Sequence, residues 1–186
     1  MKQFQVFLED SPVDGIEIEG VGFKVLDKHE DDRGHLLELL RSDDPQFTKF
    51  GQTYTSLSKP GVIRRWHYHA RNHEHFSCIL GNVLLALVDL RTEEGKNLGV
   101  RGFILGEDSP LLVGVPPGVA HGIAVLGTSP AILVDFDSEP YNPTAPDMVP
   151  VEAPIEVPQS LEEMRDEYIS NRRSWLYRVG FREVDA

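Results

Sequence analysis

Four histidines fall within nine residues of the stretch GVIRRWHYHARNHEHFSCILG, residues 61–81: His67, His69, His73 and His75. Imidazole titrates near neutrality and also ligates metals, so such a cluster suits proton transfer or the holding of a cation. On a strand, residues two apart face the same way, so His67 and His69 project together and Tyr68 is opposed. Glu74 follows a turn expected at 70–73 and opens another strand-length run that ends at Gly81. Two antiparallel strands would set its carboxylate beside the histidine pair. Further on, Pro116, Pro117 and Gly118 build a turn, and His121 starts the next strand. His67, His69, Glu74 and His121 then form a full set of ligands for a divalent metal, with a coordination position left for substrate. Neutral imidazole suits Zn, Fe, Ni or Cu, and the carboxylate also admits Mn. No organic cofactor is expected. His73 and His75 lie outside this pattern and are read as solvated or as satisfied polar residues.

These groups need a scaffold that brings distant segments together. Apolar alternation or short apolar runs occur at 3–8, 15–19, 21–26, 35–40, 62–69, 75–80, 83–91, 101–105, 111–115, 119–126 and 131–137. Most have strand length and are bounded by Gly, Pro, Asp or Asn. NVLLALVDLR is apolar on both parities, which suits a strand covered on both faces. LLELL at 36–40 is read as strand from its length and context. Many short strands with frequent turns predict an all-β, antiparallel sandwich or barrel. Residues 138–159 are Pro-rich without periodicity and predict an extended strap. Ser160 and Glu163 fit a capping box. Leu161, Met164, Tyr168, Trp175 and Val179 then recur at roughly helical spacing, which predicts a C-terminal helix. The expected division is a β domain over 1–155 and a helical appendage over 156–186.

Composition narrows the function classes. The chain of 186 residues is 40% hydrophobic and 26% charged, with a net charge of −12. A nucleic-acid partner would need a basic face. No window approaches the ~18 apolar residues of a membrane span. The opening MKQFQVFLED lacks the apolar core of a signal peptide, so a cytoplasmic location is expected. The single cysteine, Cys78, sits in an apolar run and is expected to be buried and inert.

Gly61, His67, His69, Glu74 and Gly81 resemble the first cupin motif in type and spacing, and Pro116-x-Gly118-x-x-His121 resembles the centre of the second. The second motif's leading Gly and trailing Asn are absent at their usual spacings. More broadly, residues 22–147 resemble the dTDP-4-dehydrorhamnose 3,5-epimerase family, itself a cupin-type jelly roll. The resemblance rests on Asp-Asp-Arg33-Gly-His-Leu-Leu-Glu38, on Gln52 running into Gly61-Val-Ile-Arg64-Arg-Trp-His67-Tyr, on the strand Gly81–Arg91, on Val-Pro-Pro-Gly-Val-Ala-His121-Gly and on Tyr141-Asn-Pro. It implies a homodimer that binds a small molecule, a nucleotide-linked keto sugar. It implies His67 as the base that removes a proton beside a ketone, Arg33 and Arg64 as the diphosphate grip, and Glu38, Gln52, His121 and Tyr141 as the lining of the nucleotide or sugar site.

The departures from that family matter. Its catalytic Tyr falls at Asp135, which could donate a proton only if burial raised its pKa well above ~4. A family Lys is replaced around Glu74, and the Asp that pairs with the base has no counterpart in the C-terminal segment. Arg64 and His67 face opposite ways on an ideal strand and share a cleft only if a bulge separates them. Trp66 is expected to pack away from the site, and Lys49, Lys59 and Arg71 are assigned to solvent. A metal-bound imidazole has no lone pair for a proton, so His67 cannot serve as ligand and base at once. Three readings follow: an epimerase-like isomerase of a nucleoside-diphosphate keto sugar, a metal-dependent cupin enzyme on another carbonyl or anionic substrate, and a non-catalytic small-ligand binder.

Overall fold

The computed structural model describes residues 3–6, 18–91, 100–107, 109–151, 166, 170 and 181–184. Nearly all of these that are regular are antiparallel strand. One five-stranded sheet has the order β2 (Gly22–Val25), β10 (Leu111–Val115), β7 (Glu74–Leu80), β12 (Ala131–Asp137) and β5 (Gln52–Ser58). The second has the order β13 (Met148–Pro150), β6 (Ile63–His69), β11 (Val119–Leu126), β8 (Asn82–Asp89) and β9 (Val100–Gly106). A separate hairpin pairs β3 (Lys28–Asp31) with β4 (Gly34–Leu37), and β1 (Gln3–Val6) pairs with β14 (Phe181–Val184). This is the antiparallel all-β fold that the alternation predicts, in the jelly-roll form that the family resemblance implies.

The main core lies between the two sheets. Leu111, Val113 and Val115 of β10, Phe76 and Cys78 of β7, and Ala131 and Leu133 of β12 meet Val83, Leu85 and Leu87 of β8 and Ile123 and Val125 of β11. Side chains two apart on each strand share this inner face. β8 is buried along both faces, as its two apolar parities require. A second apolar cluster, Leu84, Ala86, Ile104, Ala124 and Leu126, occupies the opposite face of the second sheet, and Ile63 and Trp66 pack against it. Trp66 therefore does point away from the inner face. Cys78 is buried, and that burial pushes its thiol up to about 11, which keeps it protonated and inert.

Four expectations change. β6 and β7 do not form a hairpin: a bend at residues 70–71 carries the chain from one sheet to the other, so Glu74 faces the histidines across the barrel rather than alongside them. The 36–40 run is strand only to Leu37, because β4 needs just four residues to pair with β3. Ile18 and Glu19, the described part of the 15–19 run, are not in a strand. The end of the expected helical appendage is β14, whose backbone pairs with β1. Asp166 and Ser170 are helical, whereas the apolar stripe Leu161, Met164, Tyr168, Trp175 and Val179, and the boundary at 155, lie outside the described residues.

Candidate active site

Three strands, β12, β7 and β11, change chemistry partway along their inner faces. On β12 the inward positions run Ala131, Leu133, Asp135, Asp137, and the burial pattern alternates with the same period. On β7 they run Cys78, Phe76, Glu74, and on β11 Val125, Ile123, His121. β5 is polar throughout on this face: register sets Ser58, Ser56, Tyr54 and Gln52 opposite Ala131, Leu133, Asp135 and Asp137. One end of the barrel is thus hydrocarbon, and the other end collects titratable groups.

His67 and His69 enter this end from β6. His67 is paired in register with His121, and their rings lie 4.3 Å apart, edge to face. The rings of His69 and His121 are nearly parallel, with centroids 6.2 Å apart. Glu74 reaches both: its Oε1 is 3.2 Å from His69 Nε2 and its Oε2 is 3.7 Å from His121 Nε2. The four groups singled out by spacing therefore meet in one place. The barrel here opens into a cavity of about 450 Å³ whose lining includes His67, His69, Tyr54, Gln52 and Asp137.

A bulge on β6 resolves the parity conflict at Arg64. His121 pairs with His67 but Ile123 pairs with Arg64, so two residues of β6, Arg65 and Trp66, stand opposite Gly122 alone. Arg64 thereby starts on the same side as His67. Its guanidinium lies at the other end of the strand, where Nε donates to Ser58 Oγ at 3.2 Å. The structure does not bring Arg33 or Glu38 to the cavity of this chain. Arg33 sits in the exposed β3–β4 turn, bonded to Asp31, and Glu38 is exposed and paired with Arg41. Gln52 and Tyr141 do line the cavity, tied together by a bond from the Tyr141 N–H to Gln52 Oε1 at 2.8 Å. Arg71 is exposed, as expected, and stands at the cavity mouth, 3.4 Å from Asp147. His73 and His75 lie outside the cavity group, and His75 Nε2 donates to the Gln46 carbonyl at 3.0 Å.

Three residues of the site carry no motif in the sequence. Asp137 accepts a bond from Gln52 Nε2 at 2.5 Å. The Tyr54 hydroxyl donates to Asp135 Oδ2 at 2.7 Å. Asp147 Oδ2 accepts from the backbone N–H groups of Arg71 and Asn72 at 3.0 and 2.8 Å and lies 3.6 Å from His69 Nδ1. A carboxylate at that nitrogen favours the tautomer with the proton on Nδ1, leaving the Nε2 lone pair toward Glu74.

The electrostatics follow from crowding buried acids and imidazoles. Burial drives the Glu74 carboxyl well above its ordinary range, and Asp135, Asp137 and Asp147 push the same way. Burial drives His121 well below the ordinary imidazole range, with His67 and His69 adding to the effect. Burial also lowers His69, partly offset by Asp137 and Asp147. Asp135 is pushed up to about 8, burial being the main cause and Asp137 adding to it, while the Tyr54 hydroxyl and the Phe136 N–H pull it partway back. The folded chain thus keeps a proton on Asp135 that the unfolded chain releases near pH ~4. This contribution to stability is fully present below about pH 4 and is lost as pH rises toward about 8. The stability advantage of Asp135→Asn over wild type should therefore grow across that window, with a limiting slope of about 1.4 kcal/mol per pH unit. Paired urea titrations at several pH values measure it, and a pH-independent difference would mean that Asp135 is already ionised in the folded chain.

An antiparallel jelly roll with an inward His-x-His, a Glu from the facing sheet and a third His from a Pro-Gly turn defines a cupin, here a divergent member of the dTDP-sugar epimerase-like group. Residues 29–149 match the polysaccharide biosynthesis C-terminal domain, and the chain belongs to that family. It is 43% identical over 131 residues to the spore coat polysaccharide biosynthesis protein SpsL of Bacillus subtilis, covering 70% of this chain and 86% of that protein. It is 30% identical over 137 residues to a probable low-salt glycan biosynthesis epimerase, Agl13, of Haloferax volcanii, covering 70% of this chain and 85% of that protein. Among solved structures, a dTDP sugar isomerase from Desulfovibrio desulfuricans superposes with a TM-score of 0.70 at 27% identity, covering 78% of this chain and 92% of that one.

Proposed function

We propose that this protein is an enzyme of the epimerase kind that acts on a keto sugar carried by a nucleoside diphosphate. The observation that carries the reading is the placement of His67 in the cavity wall, its ring 4.3 Å from that of His121 and 5.7 Å from that of His69. A ketone acidifies the C–H bonds beside it, and an imidazole at the cavity surface can take such a proton. His121 and His69, held neutral, do not compete by repelling the imidazolium that forms. The names of the family and of its relatives, which concern polysaccharide and glycan biosynthesis, support the same substrate class. At the mouth, Tyr141 offers an exposed ring for a nucleobase and Arg71 a cation for the diphosphate. Thymidine diphosphate is the nucleotide we favour, from the likeness to the dTDP sugar isomerase.

We include in this reading a homodimer in the cytoplasm. Leu57, Ile132 and Leu80 lie in register across three strands on the outer face of the first sheet, and Leu57 and Leu80 are exposed there. No helix among the described residues is long and apolar enough to cross a membrane.

A second reading keeps the cavity and changes the chemistry. Metal–ligand bonds of about 2.0–2.2 Å separate neighbouring ligand atoms by roughly 3.0–3.5 Å. The contacts of Glu74 with His69 and His121, 3.2 and 3.7 Å, lie close to that range. His67, His69, Glu74 and His121 would hold the ion, and a bound divalent metal would supply Lewis-acid polarisation of a substrate oxygen. The remaining residues would orient the ligands, Asp147 at His69 above all. Elemental analysis of protein purified without chelator tests this: about one transition metal per chain supports it, and well under one removes it. The isomerase reading is tested on the same preparation by following exchange of sugar C–H for deuterium in heavy water over a panel of dTDP-linked 4-keto sugars. Absence of exchange with every sugar would sink it.

A further inference from the structure

We propose that the Tyr54 hydroxyl delivers a proton to the face of the sugar ring opposite His67. The inference rests on the isomerase reading and assigns a residue that neither spacing nor the cupin motifs mark. Tyr54 comes from β5 of the first sheet and His67 from β6 of the second, and both line the same cavity. A planar enolate held between those two sheets would have the imidazole on one side and the phenol on the other.

One hydrogen bond sets the phenol in place, and the pairing of the two strands supports it. Register puts Tyr54 directly opposite Asp135, its hydroxyl bonds to Asp135 Oδ2 at 2.7 Å, and the Thr53 hydroxyl bonds to the Asp135 carbonyl at 2.9 Å. Asp135 is 5% exposed and its other oxygen, Oδ1, has no partner in the folded chain. Tyr54, by contrast, is 44% exposed, so its ring spans from a fixed carboxyl to the open cavity. A buried carboxyl spent on one surface-facing phenol makes a positioning residue for that hydroxyl.

The step balances without an added reagent. His67 takes the proton from the carbon beside the ketone, and the C–H electron pair moves to the carbonyl oxygen as an enolate. The Tyr54 O–H bond then breaks as a new C–H bond forms on the opposite face, and the carbonyl is restored. Water at the cavity mouth returns a proton to the phenolate and removes one from His67. Nothing is oxidised or reduced, and the carbon is inverted. Burial and the neighbouring Asp135 raise the phenol above its ordinary range, which keeps it in the donor form. An enolate carbon is a far stronger base than a phenolate, so a weak acid suffices. Asp135, itself held largely protonated, can bond to the phenolate as it forms.

The test is Tyr54→Phe assayed in heavy water with dTDP-linked 4-keto sugars, following deuterium wash-in and the formation of inverted sugar separately. Loss of a general acid removes about 10²–10⁴-fold. Inversion should fall about 100-fold or more with KM within about threefold, while wash-in with retained configuration persists, because His67 still removes and returns the proton on its own face. The melting temperature should stay close to wild type. Asp135→Asn should lower inversion in the same selective way. Inversion within about threefold of wild type in Tyr54→Phe overturns the proposal, and so does an equal fall of wash-in and inversion, which would mark a structural role. If wild type itself exchanges no sugar, the isomerase reading fails and the donor role falls with it. An active wild type with an unaffected Tyr54→Phe variant sinks the donor role alone.

Discussion

Replacing His67 with Asn is expected to reduce solvent exchange at the carbons flanking the ketone by about 10³-fold or more, with little change in melting temperature. A positioned imidazole base contributes about 10²–10⁴-fold to a proton transfer. The upper part of that range applies because the neighbouring imidazoles, His69 and His121, are turned toward Glu74. Asn keeps polarity and approximate volume at a half-buried position, so the fold should tolerate it. The comparison with His69→Asn decides between the two chemistries. If His67 is the base, His69→Asn retains measurable exchange and only the His67 variant is silent. If both are ligands, the two variants lose metal and activity together. A His67→Asn protein that exchanges within about tenfold of wild type would remove His67 from the role of base.

Gly106→Ala is expected to destabilise the chain by about 3–5 kcal/mol, the sum of backbone strain and overpacking at one position. Gly106 has φ of +143°, and a Cβ there would lie 2.1 Å from the Gly81 carbonyl oxygen and 2.8 Å from Asn82 Cα. Neither neighbour can move easily. Gly81 is the single residue between β7 and β8, which belong to different sheets. Its carbonyl accepts the Glu107 N–H at 3.1 Å, and its own Cβ position is closed by the Pro130 carbonyl at 2.4 Å. Gly127→Ala is the matched control: φ is +73° but nothing lies within 4 Å, so only the left-handed strain of about 1 kcal/mol applies. Urea unfolding of the three proteins gives both differences. Equal costs for the two substitutions would show that the sheet-to-sheet corner yields more readily than its contacts imply.

Much of this arrangement can be read from residues alone, for identifiable reasons. His121 lies on a strand whose other inward positions are apolar, so alternation fixes both the strand and the face, while the His-x-His spacing on β6 sets His67 and His69 on one side. Glu74 can be placed with the histidines by spacing, but not on the facing sheet, because a short bend is compatible with a hairpin and with a crossing alike. β5 is hard to see. Its inward positions are Gln52, Tyr54, Ser56 and Ser58, and its exposed Leu57 points the other way, so the usual pattern is inverted. Tyr54 is hidden by the same inversion. Asp147 lies in a Pro-rich strap without periodicity, and its partners are two backbone N–H groups, which carry no sequence signature. Arg33 and Glu38 entered through likeness to a family, and likeness fixes an order along the chain without saying which cavity a side chain reaches.

The extra residue in β6 has a consequence for reading relatives of this protein. It acts as a phase shift within the strand, allowing Ile63 to join the outer apolar cluster while His67 and His69 look inward. A relative one residue shorter between the positions of Arg64 and His67 cannot satisfy both demands. Either its equivalent of Ile63 loses the oily contacts, or its imidazoles turn out toward water and the chemistry is gone although the His-x-His letters remain. The count of residues upstream of the pair, more than the pair itself, sorts working centres from vestigial ones.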